Sequence, residues 1–170
     1  MRILGIDPGY AIVGYGVLDY DNVAFKTINY GAITTGADTP FDRRLAEIYR
    51  DMCELLDTFK PDCVSIEKLY FNTNITTGID VAQARGVITL SAALREIPIY
   101  EYTPLQVKVA VTGYGRAEKH QMQEMTRNIL RLKAIPKPDD TADALAIAIC
   151  HGHTGGSQLS RIMERERKKT

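Results

Sequence analysis

Apolar positions along this 170-residue chain follow two different rhythms. Residues 2–7 are almost continuously apolar and stop at the turn dipeptide Pro8-Gly9, a pattern that predicts a strand buried on both faces. A returning strand is expected over 12–19, and Asp21-Asn22 turns the chain into a third over 23–34, completing an antiparallel meander. The period then changes. Leu45, Ile48, Tyr49, Met52, Leu55, Leu56 and Phe59 fall on one face at helical spacing, predicting a helix over 40–59. Pro61-Asp62 punctuates, and 63–66 reads as a short buried strand. Helices are expected over 76–96, 105–111, 117–132 and 140–150, with a fifth strand over 97–102 stopped by Pro104. Pro136-Lys137-Pro138 separates the last two helices.

A strand, a crossover helix and a strand in that order pair in parallel with a right-handed connection. Strand 63–66 therefore lies beside strand 2–7, and Glu67 stands near the level of Asp7 at the strands' C-terminal ends, where open sheets place their sites. The expected fold class is α/β, with a mixed five-stranded sheet made of the meander plus two parallel strands and flanked by helices. Residues 1–154 are expected to form one domain. Gly155-Gly156-Ser157 then loosens the chain into a charged tail over 155–170.

The polar intrusions in this apolar pattern carry the chemistry. Asp7 closes Ile3-Leu4-Gly5-Ile6, Glu67 closes Val64-Ser65-Ile66, and Asp140 and Asp143 open the apolar run Ala144-Leu145-Ala146-Ile147-Ala148-Ile149. A lone ionised carboxylate in such surroundings is costly unless positive charge meets it. Each has a plain structural role open to it: Asp7 in its turn, Glu67 at a strand end, Asp140 and Asp143 as a capping box, with Asp139 a cap. Their joint arrival at one sheet edge is better explained by a shared divalent cation. Four carboxylates with no His/Cys cluster suit magnesium or manganese rather than zinc.

Bulk properties narrow the partner. No stretch approaches the ~20 apolar residues of a membrane span, and the sequence opens on a strand rather than a signal peptide. Cys53, Cys63 and Cys150 are too scattered for metal ligation or a disulfide framework, so reduced core thiols in a cytoplasmic protein are expected. The net charge is zero, but setting the four acids aside leaves 21 basic against 17 acidic residues. Lys108, Arg116, Lys119, Arg127, Arg131, Lys133 and Lys137 fall in one segment against Glu101, Glu118 and Glu124, a bias that suits a polyanion and also an ordinary solvated helix face.

Five segments in order, Gly5-Ile6-Asp7-Pro8-Gly9, Ser65-Ile66-Glu67, Gln83-Ala84-Arg85-Gly86, Pro104-Leu105-Gln106-Val107-Lys108 and Ala142-Asp143-Ala144-Leu145-Ala146-Ile147-Ala148, resemble the RuvC family of Holliday junction resolvases. The resemblance implies a ribonuclease H-like fold and a homodimeric, magnesium-dependent endonuclease. Its implied action is to resolve four-way DNA junctions by paired symmetric nicks in homologous recombination and DNA repair, with the RuvA–RuvB branch-migration complex as partner. It further implies Asp7, Glu67, Asp140 and Asp143 as catalytic acids holding two Mg²⁺ per site, with Mn²⁺ as a substitute. The resemblance also implies Lys119 and Lys108 near the cleaved phosphate and a junction wedge at Tyr70 or its neighbour Phe71, while Arg116, from the basic segment, is expected as a further DNA contact. His151, two turns beyond Asp143, is expected as a satisfied surface histidine. Two rival readings differ in class. An ATP-using enzyme built on Asp7-Pro8-Gly9 needs a second phosphate loop that the sequence lacks, and a non-catalytic junction binder has no use for four converging acids.

Overall fold

The computed structural model describes residues 1–69 and 75–155, with backbone alone for 75–77. Tyr70, Phe71 and the tail from Gly156 onward lie outside the described residues. The elements are β1 (Arg2–Asp7), β2 (Ile12–Tyr20), β3 (Phe25–Thr34), α1 (Phe41–Phe59), β4 (Cys63–Glu67), α2 (Ile75–Ala93), β5 (Ile99–Tyr102), α3 (Pro104–Thr112), α4 (Lys119–Ile129) and α5 (Asp139–Gly155). One sheet runs in the order β3-β2-β1-β4-β5. β1 pairs antiparallel with β2 and β2 with β3, whereas β4 is parallel to both β1 and β5. The expected mixed sheet is present.

Alternation along the strands divides the core in two. Leu4, Ile6, Val13, Val17, Val64 and Ile66 pack on one face with α1 and α2 through Ile48, Met52, Leu56, Ala84 and Ile88. Ile3, Leu18, Cys63 and Tyr102 pack on the other with α3, α4 and α5. α5 is enclosed between the sheet and α3/α4, which explains why Ala144 to Gly152 are buried without interruption and the sequence there shows no amphipathic stripe.

Three glycines seat α5 on the sheet. A Cβ at Gly5 would overlap the Ala144 carbonyl and lie 2.8 Å from the Ala148 Cβ. At Gly14 it would overlap the Asp140 carbonyl, and at Gly16 it would lie 2.6 Å from Leu145 Cδ2. The Thr141 hydroxyl then pins the helix start by donating to the Gly31 carbonyl of β3 at 3.0 Å.

Several ends differ from expectation for local reasons. β3 begins at Phe25 because the Asp21 carboxylate accepts from the N–H groups of Val23 (2.9 Å) and Ala24 (2.8 Å), prolonging the turn. β5 begins at Ile99, after Pro98, which has no N–H to give the ladder. α4 starts at Lys119 because Glu118 forms a capping box with Gln121. α5 continues to Gly155, well past Cys150.

Candidate active site

β1 and β4 each end on an acid. Ile6 lies beside Ile66 in the parallel register, so Asp7 and Glu67 leave adjacent strands at the same level. Asp7 shares its face with Ile3 and Gly5, and Glu67 with Cys63 and Ser65, which is the face that α5 covers. Asp7 is also paired with Gly14, the glycine that passes under the Asp140 carbonyl. The first turns of α5 thereby bring Asp140 and Asp143 over the two strand ends.

These acids repel one another strongly. Burial, with Asp143, Glu67 and Asp140 as like-charged neighbours, pushes the Asp7 carboxyl up to about 8, opposed only by Lys119. Burial and then Asp143 raise Glu67. Burial also raises Asp143, although Lys119 pulls it back. Burial would lower the Lys119 ammonium, but Asp143 and Asp139 outweigh it and hold the ammonium above the usual lysine range. Its Nζ lies 3.5 Å from Asp143 Oδ2 and 3.3 Å from Asp139 Oδ2. Asp139 is held low by Lys137, at 2.6 Å, and by Lys119. Two ammonium groups, Lys119 and Lys108, against four carboxylates leave the acids in the majority.

A cleft of about 210 Å³ opens over this edge, lined by Glu67, Asp143, Lys108, Lys119, Val107 and Met122. Lys108 reaches it from the second turn of α3, whose start is fixed by Thr103: its hydroxyl accepts from Gln106 N at 3.1 Å, and its own N–H donates to Gln106 Oε1 at 2.8 Å. The donor set consists of hard carboxylate oxygens with surplus negative charge, which fits a divalent cation of the magnesium type. Among the described residues no three His, Cys, Asp or Glu side chains stand at cage distance as they lie.

The remaining candidates divide. Arg116 is exposed on the α3–α4 connection and does not line the cleft. His151 is not at the surface: it is 2% exposed, with Nδ1 2.7 Å from the Tyr102 hydroxyl and its ring 4.4 Å from that of Tyr100. The burial of α5 on all sides draws it in. Two contributors went unread in the sequence. Asp139 is a partner of Lys119 rather than only a cap. Arg85 of α2 donates to the Glu67 carbonyl at 3.4 Å and forms an ion pair with Glu101, bracing the end of β4. Its signal in the sequence is its place in the segment Gln83-Ala84-Arg85-Gly86, which does not say what the side chain holds.

The family model described as crossover junction endodeoxyribonuclease RuvC matches residues 3–151. A protein of that name from Brevibacillus brevis is 60% identical over 151 residues, covering 89% of this chain and 91% of the relative. The structure of Thermus thermophilus RuvC superposes with a TM-score of 0.84 at 33% identity, covering 91% of this chain and 95% of that one. The same Thermus protein in complex with a Holliday junction substrate also gives 0.84, at 31% identity and the same coverage.

Proposed function

The chain belongs to the RuvC family of crossover junction endodeoxyribonucleases, and on that footing we propose that it resolves four-way (Holliday) junctions by paired symmetric nicks in homologous recombination and DNA repair. The observation that carries the reading is that Glu67, Asp143 and Lys119 line one cleft and that all three act on Asp7. No helix among the described residues is long and apolar enough to cross a membrane, and the reading places the protein in the cytoplasm.

Asp7, Glu67, Asp140 and Asp143 would hold two Mg²⁺, with Mn²⁺ as a substitute. When bound, such ions supply a more acidic attacking water and charge stabilisation at the leaving oxygen. The protein's own groups do the rest. Asp7 gives up a proton on binding, because its raised pKa leaves it largely protonated near neutral pH. Lys119 stays charged beside the acids and would offset the negative charge that grows on the phosphate. Lys108, which lines the same cleft, would orient the strand. Arg116 and the wedge residue, Tyr70 or Phe71, act further along the junction, where an aromatic stacked on a base is worth ~1–3 kcal/mol.

A homodimer completes the reading. Ile79 and Leu90 of α2 and Leu94 just past its end are 50%, 52% and 63% exposed, and a Cβ at Gly86 of α2 would meet nothing within 4 Å. These positions recur at helical spacing, and a second copy related by a two-fold axis would cover them and match the symmetry of the junction. RuvA–RuvB follows as a partner from family membership alone. The test is a labelled four-way junction incubated with and without Mg²⁺. Nicks at symmetric positions on opposing strands, dependent on the metal and absent on linear duplex, are expected. Cleavage of linear duplex at an equal rate would refute junction specificity.

A further inference from the structure

Among the described residues, two kinds of ordered arginine stand out. Arg2, Arg85, Arg95 and Arg127 are each held by a carboxylate. Arg44, in the first turns of α1, is ordered without one. Its guanidinium carbon lies 4.7 Å from the centroid of the Tyr10 ring, and its Nε donates to the Thr35 hydroxyl at 2.7 Å. That hydroxyl donates in turn to the Tyr10 carbonyl at 2.6 Å, while Thr35 N–H donates to the Ala11 carbonyl at 3.0 Å. Phe41 meets the Tyr10 ring edge-on, with centroids 6.0 Å apart. Among the described residues no carboxylate pairs with Arg44.

Fixing a long side chain this way sacrifices rotamer freedom and leaves a full positive charge uncompensated. The two terminal guanidinium nitrogens, the pair that grips phosphate in a fork, have no partner among the described residues. Position gives the arrangement its meaning. Tyr10 lies three residues beyond Asp7 and packs with the α1 face of the sheet, whereas Lys108 and Lys119 line the cleft on the α5 face. The catalytic edge therefore has cations on both sides of its acids.

We propose that Arg44 is a phosphate clamp for the DNA strand. It would grip a phosphate flanking the cleaved one, on the side of the acids opposite Lys119. This rests on the junction-nuclease reading and extends it to a residue that touches substrate away from the reacting atoms. Tyr10 and Thr35 pre-set the fork, so that little is lost when phosphate arrives.

The experiment is junction binding by fluorescence anisotropy in metal-free buffer, across about 50 to 200 mM salt, where each neutralised phosphate contributes about 0.9 to the slope of log affinity against log salt. Arg44→Gln is expected to bind roughly tenfold more weakly at the low-salt end and to lose about one contact's worth of slope. Arg44→Lys should keep the slope and bind at an intermediate level. Arg43→Gln, altering the neighbour whose 3.7 Å pair with Asp42 is exposed, should match the parent. A purely structural Arg44 would lower the melting temperature and leave the slope alone. If Arg44→Gln shows the parental slope, or Arg44→Lys the parental affinity, the clamp is overturned. Failure of the parent itself to bind junctions would instead overturn the nuclease reading.

Discussion

Replacing Gly14 with alanine tests how the site is assembled, without touching any acid. The new methyl would lie 3.0 Å from Thr141 N and closer still to the Asp140 carbonyl, against 3.4–4 Å for ordinary contact. The obstruction is backbone, not the tip of a flexible side chain, so the start of α5 must lift. A displacement of roughly 1 Å carries Asp140 and Asp143 away from Asp7 and Glu67, and misplacement on that scale costs ~100-fold in rate. Overpacking of this kind destabilises by about 1–3 kcal/mol. The expected result is a folded protein with single-turnover nicking of a four-way junction down ~100-fold and metal-free junction affinity unchanged. A Gly14→Ala protein with parental stability that nicks within roughly threefold of the parent would show that α5 does not set the geometry.

Three further outcomes follow from the electrostatics. Asp7 has a folded-state pKa raised from 3.8 to about 8, so the unfolded chain loses its proton first and the parent is progressively penalised as pH climbs from about 4 to 8. Asp7→Asn should therefore be more stable than the parent in metal-free buffer, by up to about 4 kcal/mol at pH 7, and should not nick; a gap that does not change with pH contradicts this. Lys119→Ala should depress turnover more than junction affinity, and equal losses in both would reduce Lys119 to a positioning contact. Burial drops His151 from 6.5 to about 4, so the unfolded chain takes up its proton first as pH falls. Relative to His151→Gln, the parent should lose up to about 3 kcal/mol between pH 6.5 and 4 in denaturant titrations. A constant difference across that window would place the imidazole in water.

The acids were legible because each breaks an apolar run, and because strand–helix–strand topology admits one arrangement of β1 and β4. What supports them was not. Gly14 reads as an unremarkable strand residue, and only the seating of α5 gives its missing side chain a purpose. His151 continues a helix whose stripe is lost to burial from several sides, so periodicity could not tell inside from outside. Asp139 looked like a cap because a helix start and an ion-pair partner of Lys119 leave the same letter in the sequence. Two element starts shifted where a side chain takes up backbone N–H groups, Asp21 before β3 and the Glu118–Gln121 box before α4. The clamp on Arg44 depends on residues 10, 35 and 41, which nothing local in the sequence brings together.

The account requires the four acids to be a cation site. Crystals of the protein soaked in Mn²⁺ and recorded at an energy where manganese scatters anomalously locate the ion directly. The account predicts anomalous peaks bounded by Asp7, Glu67, Asp140 and Asp143 that vanish in Asp7→Asn crystals. Peaks elsewhere, or none at that edge in a protein that still nicks junctions in Mn²⁺, would contradict it.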